Sequence, residues 1–390
     1  MNILFYTTSR VSEQKGGTER ITARITEGLR KLGHKCYSAY KCDVPSEFPI
    51  NPCDGEINVC QAALFGFIEK NNINVIIVQK ITREVIKIKK FLVSRNINCK
   101  ILSVLHFSPG YEEKALKWSN FLNSLSLHQS KMELLKNIVR SLVYPVYKCF
   151  YPFRNKQLYK TVYEHSDYVV LLSNHFVSEY QQYAGIADNH KFRIIPNALS
   201  FNESLSFADL EKKKKQVLIV SRLDETLKRL SLAFQVWKLI EKDNNFQDWK
   251  LKIVGHGKDY DFYRKMVSDM KMKHVDFCGR QNPLPYYKES SIFLMTSSSE
   301  GWGLTLTEAQ QFGCVPIAFN TFSSLSDIIQ NGKNGFIIEP DNISKYVETV
   351  KLLMNDSPLR SEVAKNAINS SSKYELSSII KKWNQLLLEK

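Results

Sequence analysis

The chain has 390 residues, of which 43% are hydrophobic, and carries 54 Lys and Arg against 39 Asp and Glu, a formal charge of +15. That length suits two domains with separate cores, and that composition excludes a disordered chain. Eight scattered cysteines with no Cys-x-x-Cys pair exclude a zinc ribbon or a disulfide framework, and no apolar run reaches the ~20 residues that a spanning helix needs.

The charge is uneven. Residues 1–200 hold 27 basic against 16 acidic side chains, so they carry +11 of the +15. Such a field attracts polyanions, anionic membrane surfaces or phosphorylated lipids. Met1-Asn2-Ile3-Leu4-Phe5-Tyr6 enters a strand directly, without a secretory pattern. The expectation is a cytoplasmic protein.

Asn2 to Thr8 reads as a buried strand. Ser9 to Lys15 is a loop leading to Gly16-Gly17-Thr18-Glu19-Arg20. A helix follows with apolar positions Ile21, Ile25, Leu29 and Leu32, closed by Gly33, and a second strand runs from His34 to Tyr40. This β-loop-α-β order predicts a parallel sheet. Gly16 and Gly17 let a backbone approach a phosphate closely, and a plain flexible loop is the alternative. Further strands are predicted at Val75–Val78 and Ile101–Leu105, the second running into His106-Phe107-Ser108-Pro109. A histidine just past the carboxyl end of a parallel strand sits where open α/β sheets hold ligands. It could donate to a hydroxyl or polarise a reacting centre, or simply pack at the strand end.

Glu112 to Lys160 departs from the alternation and reads as long and mostly helical. Leu135, Ile138, Val139, Leu142 and Val146 form an apolar stripe. From Lys131 to Lys160 there are seven basic residues against the single acid Glu133, with six aromatics interleaved. Such a stretch suits an anionic membrane surface, or equally a helix with a solvated basic face. No nucleic-acid motif accompanies it, so nucleic acid is not expected as a partner. Asp167–Leu172 is the next strand, and Ser173-Asn174 could cap the helix carrying Phe176, Tyr180 and Tyr183. Arg193 to Asn197 is a last strand, and the polar run Asn202 to Lys215 reads as linker and surface loop.

The second half begins with the strand Gln216–Val220. Arg222 and Lys228 flank the loop after it. Cations there could neutralise a diphosphate, Arg as a fork and Lys as a point charge, or they could be two exposed loop charges. Strands follow at Leu251–Val254, ending in Gly255-His256-Gly257, and at Val275–Gly279, ending in Arg280. The strand Ile292–Met295 enters Ser297 to Gly313, around which the chain is organised. Its turn is Gly301-Trp302-Gly303, and a helix begins near Thr305 and stops at Gly313. Glu300 and Glu308 bracket the turn with seven residues between them. Unpaired N–H groups and the helix dipole at Gly301–Thr305 favour a phosphate. A carboxylate can accept from the vicinal hydroxyls of a ribose or hexose. The alternative is an ordinary strand-loop-helix unit with Glu308 as a favourable first-turn charge. Helices are expected over Ile343–Leu353 and Leu376–Leu388.

Glu300-Gly301-Trp302-Gly303-Leu304, then Glu308-Ala309, then Gly313-Cys314-Val315-Pro316 resembles the donor-site signature of retaining GT-B glycosyltransferases of family four, the glycosyl transferases group 1. Ser326-Asp327-Ile328-Ile329, Asn331-Gly332-Lys333-Asn334-Gly335 and Glu339-Pro340 resemble it too, although the family usually has Glu where Asp327 stands. The family also commonly has an acid where His256 stands, which leaves the role of His256 open. The resemblance runs nearly full length, is strongest over 216–340 and poorest over 112–160.

The resemblance implies an α/β fold of two Rossmann-like domains facing across a cleft. Residues 1–200 would bind the acceptor and 201–373 the nucleotide sugar, with helix 374–390 crossing back. It implies transfer of a sugar from a UDP or GDP donor to an acceptor hydroxyl of a lipid-linked or cell-envelope glycan, with retention. It puts Arg222 and Lys228 on the diphosphate, Glu300 and His106 on the donor sugar, and Glu308 on the ribose. Gly16 and Gly17 would face the diphosphate. Gly255, Arg280 and the turn residues Gly301, Trp302, Gly303, Leu304 and Thr305 would line the nucleotide. No cofactor beyond the donor and no metal is expected, so the cations would do a metal's work. Peripheral contact with the inner face of the cell membrane is a further expectation. The alternatives are an epimerase or hydrolase of nucleotide sugars, or a non-catalytic sugar-nucleotide or polyanion-binding protein.

Overall fold

Val75–Val78, Val-Ile-Ile-Val, is wholly buried, as a strand must be when helices cover both faces of a parallel sheet. The structure, a computed structural model, describes residues 1–13, 16–45, 49–60, 63–115, 148 and 150–389. The chain forms two units, one of Met1–Pro196 with Ile380–Lys390, the other of Asn197–Ile379.

The first unit contains β1 (Asn2–Ser9), β2 (Lys35–Cys42), β3 (Gly55–Asn58), β4 (Val75–Val78), β5 (Lys100–Leu105), β6 (Tyr168–Leu171) and β7 (Phe192–Ile194). They pair in the order β3-β2-β1-β4-β5-β6-β7, every pair parallel. The helix Gly17–Lys31 buries Ile21, Ile25 and Leu29 against this sheet. Leu32, expected on the same stripe, lies just past the helix end, before the turn at Gly33 (φ +85°), and is 52% exposed. Ile380 of the last helix packs on Gly28 of that helix. A Cβ at Gly28 would come within 2.2 Å of the Ile380 side chain, so only glycine permits the approach. Asn384 to His34 and Glu389 to Arg193 complete the seam, at 2.9 and 2.8 Å.

The second unit contains β8 (Lys214–Val220), β9 (Lys250–Val254), β10 (Val275–Gly279), β11 (Ser290–Met295), β12 (Val315–Phe319) and β13 (Phe336–Ile338), in the parallel order β10-β9-β8-β11-β12-β13. Phe234, Trp237, Trp249, Tyr263 and Tyr346 fill its core. In both sheets the strand order reverses once, between β1 and β4 and between β8 and β11. Those are the places where chains leave in opposite directions and open a crevice at the carboxyl ends of the strands.

The run Asn202 to Lys215 is not the expected linker. It lies inside the second unit. Leu210 is buried, and Gln311 Nε2 donates to the carbonyls of Phe201 and Glu203 at 2.9 and 2.7 Å. Lys213 donates to the carbonyls of Tyr287 and Ser290, and burial pushes its pKa down. The sequence showed four lysines but not the carbonyls waiting for one of them. The strand β3, the helix Leu64–Lys70 and the helix Ser357–Ser371 were not anticipated either. The last buries mainly small residues, Ala364, Ala367 and Ser371, and so shows little apolar periodicity. Ser173, not Asn174, meets the helix His175–Ala184, its Oγ accepting from the His175 N–H at 3.1 Å. The predicted apolar stripe over 135–146, and with it residues 131–147 of the basic stretch, lies outside the described residues.

Gly255 has φ +144°, and a Cβ there would stand 1.8 Å from the Ser221 carbonyl oxygen. Gly255→Ala must displace the loop after β8. A stability loss of about 2–4 kcal/mol is expected, the sum of a strained φ and a steric overlap. Urea unfolding measures it, and a loss below about 1 kcal/mol would show that the loop yields freely.

Candidate active site

β11 is buried along its whole length and delivers Thr296 to Glu300 to the carboxyl edge of the second sheet, beside the end of β8. Gly303 turns the chain at φ +79° and opens the helix Leu304–Gln311. Gly313 at φ +64° closes it, as its position predicts. The first N–H groups of that helix have no acceptor within the helix.

The two loops at this edge are tied together. Thr296 Oγ1 donates to the Lys228 carbonyl at 2.9 Å, and the Ser298 N–H donates to the Leu227 carbonyl at 2.8 Å. The Ser298 hydroxyl adds a bond to the Thr226 carbonyl at 3.1 Å, so the backbone and side chain of one residue hold the same turn. Lys228 Nζ is thereby brought onto Glu300 Oε1, which also accepts from Ser297 Oγ at 2.7 Å. The Lys228 and Glu300 side chains are only 21% and 15% exposed. A cavity of about 10 Å³, room for about one water, lies beside Lys228 between Ser221, Ser297 and Thr305.

The two expected cations are therefore divided. Lys228 belongs to Glu300. Arg222 is 64% exposed and lies 3.8 Å from Asp224, which also holds Lys258 Nζ at 3.3 Å. Lys258 and Ser297 were not singled out from the sequence, because a lone lysine or serine in a loop carries no spacing signal.

Glu308 is the largest departure. It is fully buried, with Oε1 accepting from Ser200 Oγ and Oε2 from the Tyr287 hydroxyl at 2.8 Å. Both oxygens are thus occupied by protein hydroxyls, and a ribose would have to displace Ser200. Trp302 is also turned inward. It is 3% exposed, with its ring 5.2 Å from that of Tyr374. Leu304 and Thr305 are half-buried at the start of the helix.

Gly255 and Gly257 are explained by the backbone of the loop after β8, since a Cβ on either would strike Ser221 or Leu223. His256 stacks on Tyr260 with ring centres 4.8 Å apart. Arg280 is exposed at the end of β10. In the first unit, Gly16 caps the helix Gly17–Lys31 in extended backbone. His106 follows β5, and its Nε2 lies 2.5 Å from Oε1 of Gln79, the residue after β4. Burial pushes the His106 pKa down to about 4, so the ring is neutral at pH 7. Among the described residues no group of three His, Cys, Asp or Glu could hold a metal ion.

Solved structures share this architecture over the whole chain. Anabaena HepE bound to UDP superposes with a TM-score of 0.72 at 15% identity, covering 99% of both chains. TarM gives 0.70 at 14% identity, covering 100% of this chain and 99% of that one. Two Rossmann-like units of this kind define the GT-B class of glycosyltransferase fold. Residues 201–370, which lie within the second unit, match the family described as glycosyl transferases group 1. The resemblance read from the sequence is borne out at that level. An uncharacterized glycosyltransferase of Haemophilus influenzae is 31% identical over 194 residues, 49% of this chain and 53% of that protein. The poly(glycerol-phosphate) alpha-glucosyltransferase of Bacillus subtilis is 24% identical over 232 residues, 59% of this chain and 34% of that protein. The chain thus spans about half or less of the length of these curated relatives.

The burial of Glu308 makes a prediction about the protein without ligand. Glu308→Ala removes the buried carboxylate that accepts from the Ser200 and Tyr287 hydroxyls, so stability should fall by about 1–3 kcal/mol. Thermal unfolding without nucleotide measures this. An unchanged midpoint would mean that the carboxylate is free for a ligand.

Proposed function

We propose that the protein transfers a sugar from a nucleoside diphosphate to a hydroxyl of a cell-envelope or lipid-linked glycan, with retention at the anomeric carbon. The observation that carries this is the Lys228–Glu300 pair beside the opening of the helix Leu304–Gln311, at the crevice where β8 and β11 diverge. UDP is the favoured carrier, because structural neighbours such as HepE are bound to it. The glycan acceptor follows relatives whose names specify polymer glycosylation, such as the B. subtilis enzyme.

In this reading the diphosphate lies against the helix opening and takes a share of the Lys228 charge. Glu300, released in part from Lys228, accepts from a hydroxyl of the donor sugar. The acceptor oxygen attacks the anomeric carbon from the leaving-group face, the bond to the diphosphate breaks, and its electron pair goes to phosphate oxygen. That oxygen takes the acceptor proton. Lys228 and the helix N–H groups stabilise the charge as it grows, which is the form of stabilisation with the largest catalytic effect. Arg222 approaches the same diphosphate from its exposed position, and no metal is required in this scheme. Activity retained in EDTA is its check.

Lys228→Met should lower turnover about 100- to 1,000-fold while weakening UDP binding less than tenfold. The measurement is UDP release from a panel of sugar nucleotides, with membrane extract as acceptor. Equal turnover in the variant would remove the assignment. Free sugar released at the same rate without acceptor would favour a hydrolase instead.

We also propose that the first unit meets an anionic membrane at the helix over 150–165. Phe150 and Phe153 are 69% and 73% exposed there, among the exposed cations Lys148, Arg154 and Lys156. Vesicles containing phosphatidylglycerol should retain the protein and phosphatidylcholine vesicles should not. Phe150→Ser with Phe153→Ser should release it, and equal retention by both vesicle types would remove the contact.

A further inference from the structure

The resemblance puts His106 on the donor sugar but leaves open which of its nitrogens faces the ligand. Gln79 and His106 follow neighbouring strands, β4 and β5, at the carboxyl edge of the first sheet. The Gln79 N–H continues the ladder by donating to the Tyr6 carbonyl at 2.9 Å, so its backbone is fixed beside the reversal of strand order. Its side chain is 4% exposed and ends on the imidazole.

The geometry points to Gln79 as the positioning residue that fixes the tautomer of His106, so that Nδ1 is offered to the ligand as a hydrogen-bond acceptor. An amide oxygen only accepts, so the Nε2 atom 2.5 Å from Gln79 Oε1 must carry the proton. A neutral ring has one N–H, and Nδ1 is left with its lone pair. The other end of the amide supports the same role. Gln79 Nε2 is buried and, among the described residues, donates to nothing. Such a group works against stability, so packing alone would favour an apolar side chain here. The contact that the glutamine does make is the one to His106.

A bare Nδ1 accepts from a hydroxyl and repels a carboxylate or phosphate oxygen. The inference rests on the reading that a donor sugar reaches this edge of the first unit, and it specifies that sugar as one presenting a neutral hydroxyl to His106. A uronic acid, with a carboxylate in that place, would be rejected. Gln79 thus contributes to specificity without touching the substrate.

The test does not require turnover. Full-length protein labelled with ¹⁵N-histidine gives long-range ¹H–¹⁵N correlations at pH 7.5 that distinguish the two tautomers, with His106 assigned by His106→Asn. The wild type should show the Nε2–H form. Gln79→Leu should give a mixture of tautomers, and Gln79→Glu, which still accepts, should restore the Nε2–H form. Thermal unfolding of Gln79→Leu should be within a few degrees of wild type, and Gln79→Met serves if the leucine variant does not fold. An Nδ1–H form in the wild type, or an unchanged pattern in both apolar variants, would overturn the assignment. For the ligand, UDP-glucose and UDP-glucuronate are compared by titration. Wild type should prefer UDP-glucose by tenfold or more and Gln79→Leu should lose that preference, whereas equal wild-type affinities would overturn the acceptor role. If neither binds while the tautomer pattern is as expected, the donor reading fails and the role of Gln79 in orienting His106 stands.

Discussion

A lysine and a glutamate meet where β8 and β11 part, and the surrounding chain is arranged to keep them there. The pair is mostly shielded from water, so each charge is poorly solvated unless the other is near. Neither side chain could hold that position alone. Lys228 is placed by a short helix whose carbonyl groups are bonded by Thr296 and Ser298, and Glu300 is steadied by Ser297. A shielded pair of this kind is weak support for stability, since apolar residues of similar volume would often serve as well. Its value lies in having two opposite charges ready, one for an anion and one for hydroxyl groups.

The strand-turn-helix stretch from Ile292 to Gly313 was legible because each part of it has a local cause. An apolar run makes the strand, glycine at positive φ makes the turn, and glycine closes the helix. The same holds for β1, β4 and the helix Gly17–Lys31, whose apolar spacing matches their buried faces. What escaped the sequence was decided by distant partners. The lysine at 213 looks like its solvated neighbours, yet carbonyls from residues more than seventy positions away accept its hydrogen bonds. β3 lies at the sheet edge with every residue half-buried, and Gly-Glu-Ile-Asn gives no alternation to read.

The site shows the same division. Spacing correctly put Glu300 and Lys228 at the edge of one sheet, but spacing could not say that they pair. Nor could it say that Arg222 turns to Asp224 instead. Glu308 is the sharper case. Its place just after the start of a helix suggests a surface charge or a ligand contact, and both ideas assume access. Access was removed by Ser200 and Tyr287, which come from 108 and 21 positions away. No local pattern encodes such a closure.

The glycines at 255 and 257 carry the argument one step further. In a sequence they suggest a backbone that makes room for a nucleotide. In the fold, the room is taken by the backbone of residues 221–223, which bonds to the Val254 and His256 carbonyls through Ser221 and Leu223. These glycines therefore act on the ligand edge indirectly. They let the loop after β9 lie against the loop after β8, and that second loop leads into the helix that carries Lys228. A side chain at 255 would push the loop outward and move the lysine relative to Glu300. The close approach of two backbones at one end of the sheet thus helps to fix the loop that leads into the Lys228 helix, which Thr296 and Ser298 then hold beside Glu300.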